Sequence, residues 1–423
     1  MKMHTAADVE AAGPRLLLGQ GDRLTPLARD RAKELGVELV LGAAPTTMPL
    51  VTHRATAPDR AVPAVDAPKP AAPAGRRPFV LPPSGAMYRR NALGPHPSAA
   101  VDGSKRSSAA AGCAKRPKAA VVGAGHVGAM AALRLAQSDL FSNVALVDVV
   151  PGLAAGLALD IWHGAGLYGF STTLSGSDDL AALSGAEYII VTAGKPRQPG
   201  MSRTDLTAVN AAIMESVCKG IRTHAPESTL VIVSNPLEEM THLAASFTGF
   251  PEERVVGMAG VLDSARFCSL VGLTGQARPQ DVRALALGSH GPEMVIPLSQ
   301  AFVGDKPIES VLDAETLKAI TERARESGGE VVKLLQKGSA YFSPAESAAG
   351  MVRAMVRNNG EVLAACVRSR GAYGVADTRV GLPVRLGPRG VSEIVKLSLR
   401  PQEQLALREA ASRIAARIGE LGK

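Results

Sequence analysis

Apolar and polar positions divide the chain into three zones. In the first, Arg15-Leu16-Leu17-Leu18 and Val37-Glu38-Leu39-Val40-Leu41 read as short strands around a helix from Thr25 to Leu35. Thr25 before Pro26 is an N-cap followed by proline at the first helical position, and Gly36 stands where a helix ends. Residues 1–42 thus form a small module, marginal on its own core. The second zone, residues 43–117, lacks strong periodicity and holds 13 of the chain's 29 prolines, which predicts an extended or disordered linker. Two apolar islands in it, Pro78-Phe79-Val80-Leu81-Pro82 and Met87-Tyr88-Arg89-Arg90, are either docking motifs or incidental.

From Lys118 onward, short apolar runs alternate with helix-like segments. Ala119–Val122, Val144–Val147, Tyr188–Val191 and Leu230–Val233 read as buried strands, and His126–Gln137 reads as a helix. Such βαβ alternation predicts an α/β fold, a Rossmann doubly wound parallel sheet over residues 118–262. After Asp263 the pattern loosens and helices dominate, among them Ser310–Lys337 and Pro401–Leu421, so residues 263–423 are expected to form a second, α+β domain for substrate.

Composition narrows the class. Among 423 residues, 46% are apolar, and no run is long enough to span a membrane. The start of the chain, with Asp8 and Glu10 and no apolar core segment, does not read as a secretory signal. Cys113, Cys218, Cys268 and Cys366 are scattered without CxxC spacing, as free thiols in a reducing cytoplasm, and no metal site is expected. The net charge of +8 lies in residues 43–117, which carry 11 Lys/Arg against three Asp. It therefore describes the linker, and the scarcity of aromatics there makes nucleic acid an unlikely partner.

GAGHVG at 123–128 follows a strand and opens a helix. Gly123 permits the tight turn, Gly125 lets a pyrophosphate approach the backbone, and Gly128 lets helix pack on strand. Asp148 ends the next strand, placed to accept from ribose hydroxyls, and no arginine follows it to favour a 2′-phosphate. The pattern reads as an NAD site. His126 occupies a variable place in the fingerprint and reads as local packing or solvation, not catalysis.

Oxidising a secondary alcohol with NAD needs a base for the hydroxyl proton. Histidine suits this because it titrates near neutrality, and a carboxylate beside it fixes its tautomer. His290 and Asp263 are the candidates. Arg266, three residues after Asp263, can grip a substrate carboxylate in a bidentate manner. The Gly/Pro-rich segment from Gly194 to Arg203 adds Arg197 and Arg203 on a loop suited to closing over substrate.

In order along the chain stand GAGHVG (123–128), TAGKPRQPGMSR (192–203), VSNPLEEMT (233–241), GMAGVLDSAR (257–266), GSHG (288–291) and KGSAYFSP (337–344). This series resembles the malate/lactate dehydrogenase superfamily, and within it the bacterial malate dehydrogenases of the lactate-dehydrogenase-like type. The resemblance implies that His290 donates and accepts the proton with Asp263 as partner, that Arg203 polarises the carbonyl, and that Arg266 and Asn235 hold substrate. It places Asn210, Val233 and Asn235 against NAD. Related lactate dehydrogenases carry a neutral glutamine where this chain has Arg197, so the resemblance favours oxaloacetate and malate over pyruvate. It also implies a homodimer or homotetramer.

The chain departs from that pattern at several points. His290-Gly291-Pro292 replaces the usual His-Gly-Asp, and Pro292 removes a carboxylate and an N–H. Pro297 comes one residue late, Leu157 replaces a frequent lysine, and Glu238 stands where aspartate is common. These leave open an alternative carbonyl substrate such as pyruvate or lactaldehyde, or, in another class, a non-catalytic scaffold. The stretch Arg23–Leu39 loosely resembles the leaders of bacterial microcompartment-associated enzymes and the peripheral subunit-binding modules of dehydrogenase complexes. Either implies a docking partner or shell for residues 1–117 of a cytoplasmic bacterial enzyme.

Overall fold

The computed structural model describes residues 3–4, 9, 12, 15–18, 23–24, 26–41, 116–196, 202–291, 293–336 and 338–421. The described residues belong to two units divided between Leu81 and Pro82. The expected linker character of 43–115 and the two apolar islands lie outside the described residues.

In the first unit, β1 (Arg15–Leu18) pairs in parallel with β2 (Glu38–Leu41), and α1 (Pro26–Leu35) connects them, as the sequence predicts. Gly36 has φ +65°, a left-handed backbone that glycine adopts without strain. Leu16, Ala28 and Ala32 form its small core with Val9.

The second unit is built on one eleven-stranded sheet. Its parallel part comprises β3 (Lys118–Val122), β4 (Asn143–Val147), β5 (Thr173–Ser177), β6 (Ala186–Val191), β7 (Thr229–Ile232) and β8 (Val255–Gly257). Their spatial order is β5-β4-β3-β6-β7-β8, all parallel. The chain winds outward from β3, then returns to lay β6 on its other side, so a crevice opens at the β3/β6 switch point. Both faces are covered, which explains the continuous apolar runs. Val121, Leu146, Ile190 and Val231 point to one layer with α2 (His126–Gln137) and α8 (Phe342–Arg357). Val122, Val147, Val191 and Ile232 point to the other, with α4 (Arg203–His224) and α5 (Leu237–Thr248). Between these come α3 (Leu153–His163), and α6 (Gly260–Gly272) after β8.

The sheet does not stop at Asp263. β11 (Val362–Arg368) pairs antiparallel with β8, and β12 (Arg379–Gly387) pairs with β11 and with β13 (Gly390–Ile394). The short strands β9 (Leu287–Gly288) and β10 (Met294–Val295) complete that edge. The later part is therefore richer in strand than its loose pattern implies. Residues 364–367 and 379–384 are buried without alternation, so no two-residue period marks them. Helices α7 (Ala314–Leu335) and α9 (Pro401–Gly419) occupy the expected places. α7 starts four residues later than expected because Asp313 caps it, accepting from Thr316 N at 2.8 Å. Among the described residues no helix is long and apolar enough to cross a membrane.

Candidate active site

The glycine loop fits a dinucleotide at the β3/β6 crevice. Gly123 has φ +102°, and its N–H donates to the Val147 carbonyl at 2.7 Å. A Cβ on Gly128 would collide with the Gly123 carbonyl oxygen, so any larger residue would push α2 away from the loop. A Cβ on Gly125 would meet open space, and no side chain caps α2, which leaves its first N–H groups to an anion. Thr192 Oγ1, at the end of β6, donates to the Gly123 carbonyl at 3.0 Å and closes the back of the crevice.

Asp148 follows β4 directly and lies against the glycine loop. Its carboxylate accepts Ala124 N at 2.6 Å and Val150 N at 3.0 Å, bracing the glycine loop while keeping lone pairs for hydroxyl donors. His126 is exposed, with its ring 5.1 Å from that of Tyr341.

Asn210 and Asn235 meet beyond β6 and β7. The Asn210 carboxamide accepts from Lys195 N at 2.8 Å and donates to the Lys195 and Asn235 carbonyls at 3.1 and 2.7 Å. Buried and occupied in this way, Asn210 ties two loops together. Asn235 itself is exposed, and Val233 is half-buried beside it. Arg197 lies outside the described residues. Of Arg203 only the backbone is described, at the first position of α4, where Ser202 and Asp205 form a capping box.

The acid–base pair assembles from α6 and the β9–β10 turn. Asp263, in the first turn of α6, is buried, and its Oδ2 lies 2.8 Å from His290 Nδ1. Its Oδ1 accepts from Arg266 Nη1 at 3.2 Å. Ser264, between them, sets the distance to the histidine strand: its Oγ accepts from Ala286 N at 2.9 Å and donates to the Gly260 carbonyl. Gly288 (φ +82°) and Gly291 (φ +129°) hold the turn in left-handed backbone that side-chain-bearing residues avoid.

Burial alone would lower the imidazole pKa, but Asp263 at hydrogen-bond distance and the Glu238 charge outweigh it and Arg266, so the pKa lies above the ordinary 6.5. Glu238, missed as a site residue, is 2% exposed and accepts the His290 backbone N–H at 2.6 Å. Its only sequence signal is an acidic pair opening a helix.

A cleft of ≈ 810 Å³ opens beside His290, Asp263 and Arg266, walled by Gly328, Gly329 and Lys333 of α7. A Cβ on Gly328 would sit 3.7 Å from Arg266 Nη1, ordinary contact distance, so α7 passes close to the guanidinium at this glycine. A Gly-Gly step inside a helix costs stability, and that cost was the signal available for finding it. The arrangement combines a buried acid–base pair, a guanidinium suited to a carboxylate and a dinucleotide cradle.

The comparisons with known proteins agree with this geometry. Residues 117–257 match the lactate/malate dehydrogenase NAD binding domain, and residues 260–422 match the lactate/malate dehydrogenase alpha/beta C-terminal domain. The chain is similar to malate dehydrogenase from Synechocystis sp., 41% identical over 299 residues, covering 70% of this chain and 92% of that one. It is likewise similar to malate dehydrogenase 1 from Anaeromyxobacter dehalogenans, 41% identical over 73% of this chain and 99% of that one. Among solved structures, malate dehydrogenase from Salinibacter ruber superposes with TM-score 0.69 at 35% identity, over 72% of this chain and 97% of the other. Lactate dehydrogenase from Cryptosporidium parvum, complexed with lactic acid and nicotinamide adenine dinucleotide, superposes with TM-score 0.69 at 32% identity, over 73% and 98%.

Proposed function

The chain belongs to the lactate/malate dehydrogenase family, and from that premise we propose that it is an NAD-dependent malate dehydrogenase, interconverting malate and oxaloacetate. The observation that carries the reading is the joint placement of His290, Asp263 and Arg266, at 2.8 and 3.2 Å, on the wall of one cleft. Residues 118–262 serve the cofactor and residues 263–423 the substrate.

NAD is the cofactor; the Gly123–Gly128 loop and Asp148 would hold it, and in its reduced form it would supply a hydride for the carbonyl carbon. Asp263 engages His290 Nδ1, which leaves Nε2 as the nitrogen that gives its proton to the carbonyl oxygen and takes it back in the reverse direction. The Asp263 carboxylate, at hydrogen-bond distance, stabilises the imidazolium. Arg266 holds the C1 carboxylate and so orients the reacting carbon. Arg203 polarises the carbonyl, Asn235 contacts substrate, and Arg197 supplies the cation for the second carboxylate. The enzyme works in the cytoplasm as a homodimer or homotetramer, and residues 1–42 on the 43–117 tether dock it to a partner or a microcompartment shell.

The test is NADH oxidation by the full-length protein, comparing kcat/KM for oxaloacetate, pyruvate and lactaldehyde. A preference for oxaloacetate of about a hundredfold, the scale of leaving one charge unpaired, supports the reading. Equal or better use of another carbonyl replaces the substrate assignment. NADH binding without turnover of any of the three replaces the enzyme by a scaffold.

A further inference from the structure

Beneath the histidine turn lies a polar cluster that the chemistry above does not use. Helix α9 packs against this turn, bringing the Ala410 Cβ within 3.3 Å of where a Cβ on Gly288 would lie. From the last turn of α9, Arg417 reaches three acceptors. Its Nε donates to Glu239 Oε1 at 3.0 Å, its Nη1 to Glu293 Oε2 at 3.2 Å, and its Nη2 contacts Ser289 Oγ at 3.4 Å. Ser289 and Glu293 lie on either side of His290, and Glu239 is the chain neighbour of Glu238, which holds the His290 amide. Glu239 and Ser289 are both buried, and Arg413 also pairs with Glu293 at 2.9 Å.

This turn needs anchors from outside itself. Gly291 brings no side chain, and residue 292 is a proline, which has no N–H to give. A guanidinium is a planar fork that can hold several acceptors in fixed geometry, which a lysine cannot do. Held in this way, the turn can deliver the imidazole to Asp263 at one distance and angle.

We propose that Arg417 is a positioning residue for His290: from the C-terminal helix it fastens both flanks of the histidine turn to Glu239, and so fixes the orientation in which the imidazole meets Asp263 and the substrate. The proposal rests on the dehydrogenase reading for its catalytic consequence, and on geometry alone for the orientation. The charged groups that face His290 are Asp263 and Arg266 from α6 and Glu238 from α5.

The experiment compares wild type with Arg417→Met and Arg417→Lys, reading oxaloacetate kinetics, NADH binding by fluorescence, and the His290 titration midpoint by NMR, with His290→Gln to assign the signal among eight histidines. In Arg417→Met, kcat falls about 10- to 100-fold, as a misplaced catalytic group implies, while NADH affinity holds within about twofold. The His290 midpoint falls as the Asp263 contact loosens. Removing a nearby cation without loss of position would raise it instead. Arg417→Lys, which keeps the charge and part of the contacts, recovers part of kcat.

An unchanged kcat and midpoint in a folded Arg417→Met protein overturns the proposal. If that variant does not fold, Ser289→Ala and Glu293→Gln decide: each leaves Arg417 in place, and a normal kcat in both overturns it equally. A midpoint that falls in a wild-type background inactive on oxaloacetate keeps the positioning role and removes the substrate assignment.

Discussion

Glu238 Oε1 accepts the backbone N–H of His290 at 2.6 Å, so the residue proposed to move the proton hangs from a buried carboxylate. Burial pushes the Glu238 pKa up, with the His290 N–H and charge pulling it partly back, so it lies above the ordinary 4.5. A carboxylate raised on folding is favourable when protonated, and this contribution is present below the unfolded pKa and lost as pH rises through the folded one. Glu238→Gln keeps an acceptor for the amide and removes the charge. The variant is expected to melt about 2 °C or more above wild type at pH 8, with the advantage gone near pH 4. Circular-dichroism melts at both pH values decide it, and a difference that does not change with pH shows that the charge is carried there without cost.

The Asp263 contact sets the pH dependence of turnover. His290 titrates above 6.5, and it must be protonated to reduce the carbonyl and neutral to oxidise the alcohol. The reductive kcat/KM therefore falls as pH rises through the raised pKa, and the oxidative one rises over the same interval. The same raised pKa adds stability below about 6.5 that is lost as pH passes the folded value. Asp263→Asn removes the main upward influence, moves both limbs toward lower pH, and costs about 10²–10⁴ in kcat. Limbs that stay in place would assign the titration to another group.

Much of this site is legible in the sequence because it rests on local constraints. GAGHVG needs its glycines for one turn, and Asp263 and Arg266 share a helical face by spacing alone. What escapes is held by partners distant in the chain. Ser264 meets Ala286 from 22 residues away, Glu238 meets His290 from 52, and Arg417 meets Ser289 from 128. Spacing marks Asp148 as a candidate ribose acceptor, but its brace to Ala124 depends on the sheet bringing β4 beside the loop. The strands β11 and β12 escaped for a different reason, since burial on both faces erases the alternation that marks a strand.

Gly328 separates stability from activity. Replacing a helical glycine by alanine adds roughly 0.5–1 kcal/mol of stability. The new Cβ sits 3.7 Å from Arg266 Nη1, ordinary contact distance, so Gly328→Ala is expected to melt higher with KM for oxaloacetate raised no more than about threefold. Gly328→Val adds branches that Arg266 must avoid, and kcat/KM falls tenfold or more, about 1.4 kcal/mol. Equal kinetics in the two variants would show that Arg266 does not need that space.

Arg197 tests substrate choice independently of the His290 machinery. With Arg197→Gln the second carboxylate of oxaloacetate loses its cation, and an unpaired charge in a closed site costs about 3–5 kcal/mol. The oxaloacetate-to-pyruvate ratio of kcat/KM is expected to fall by roughly two to four decades. An unchanged ratio means that another cation, such as Lys333 on the cleft wall, reads the distal carboxylate.

The extension can be removed at a point that the sheet defines. β3 begins at Lys118, which registers with Asn143 and Ala186 and donates through Nζ to the Ala182 and Ser184 carbonyls. Just before it, the Pro117 carbonyl accepts both Ser142 N at 2.9 Å and Ser142 Oγ at 3.2 Å, and Arg116 pairs with Asp139 at 3.5 Å. The described contacts of this unit therefore begin two residues before its first strand. Deleting residues 1–115 is expected to leave kcat, KM and Tm as in the full chain. Deleting 1–117 removes the two Ser142 bonds and the ion pair, at about 1–2 kcal/mol, with kinetics still intact below the lowered melting point. A fall in kcat in the shorter deletion would make residues 1–115 part of the catalytic unit, whereas unchanged kinetics with a lost binding partner or lost co-localisation gives them the docking role.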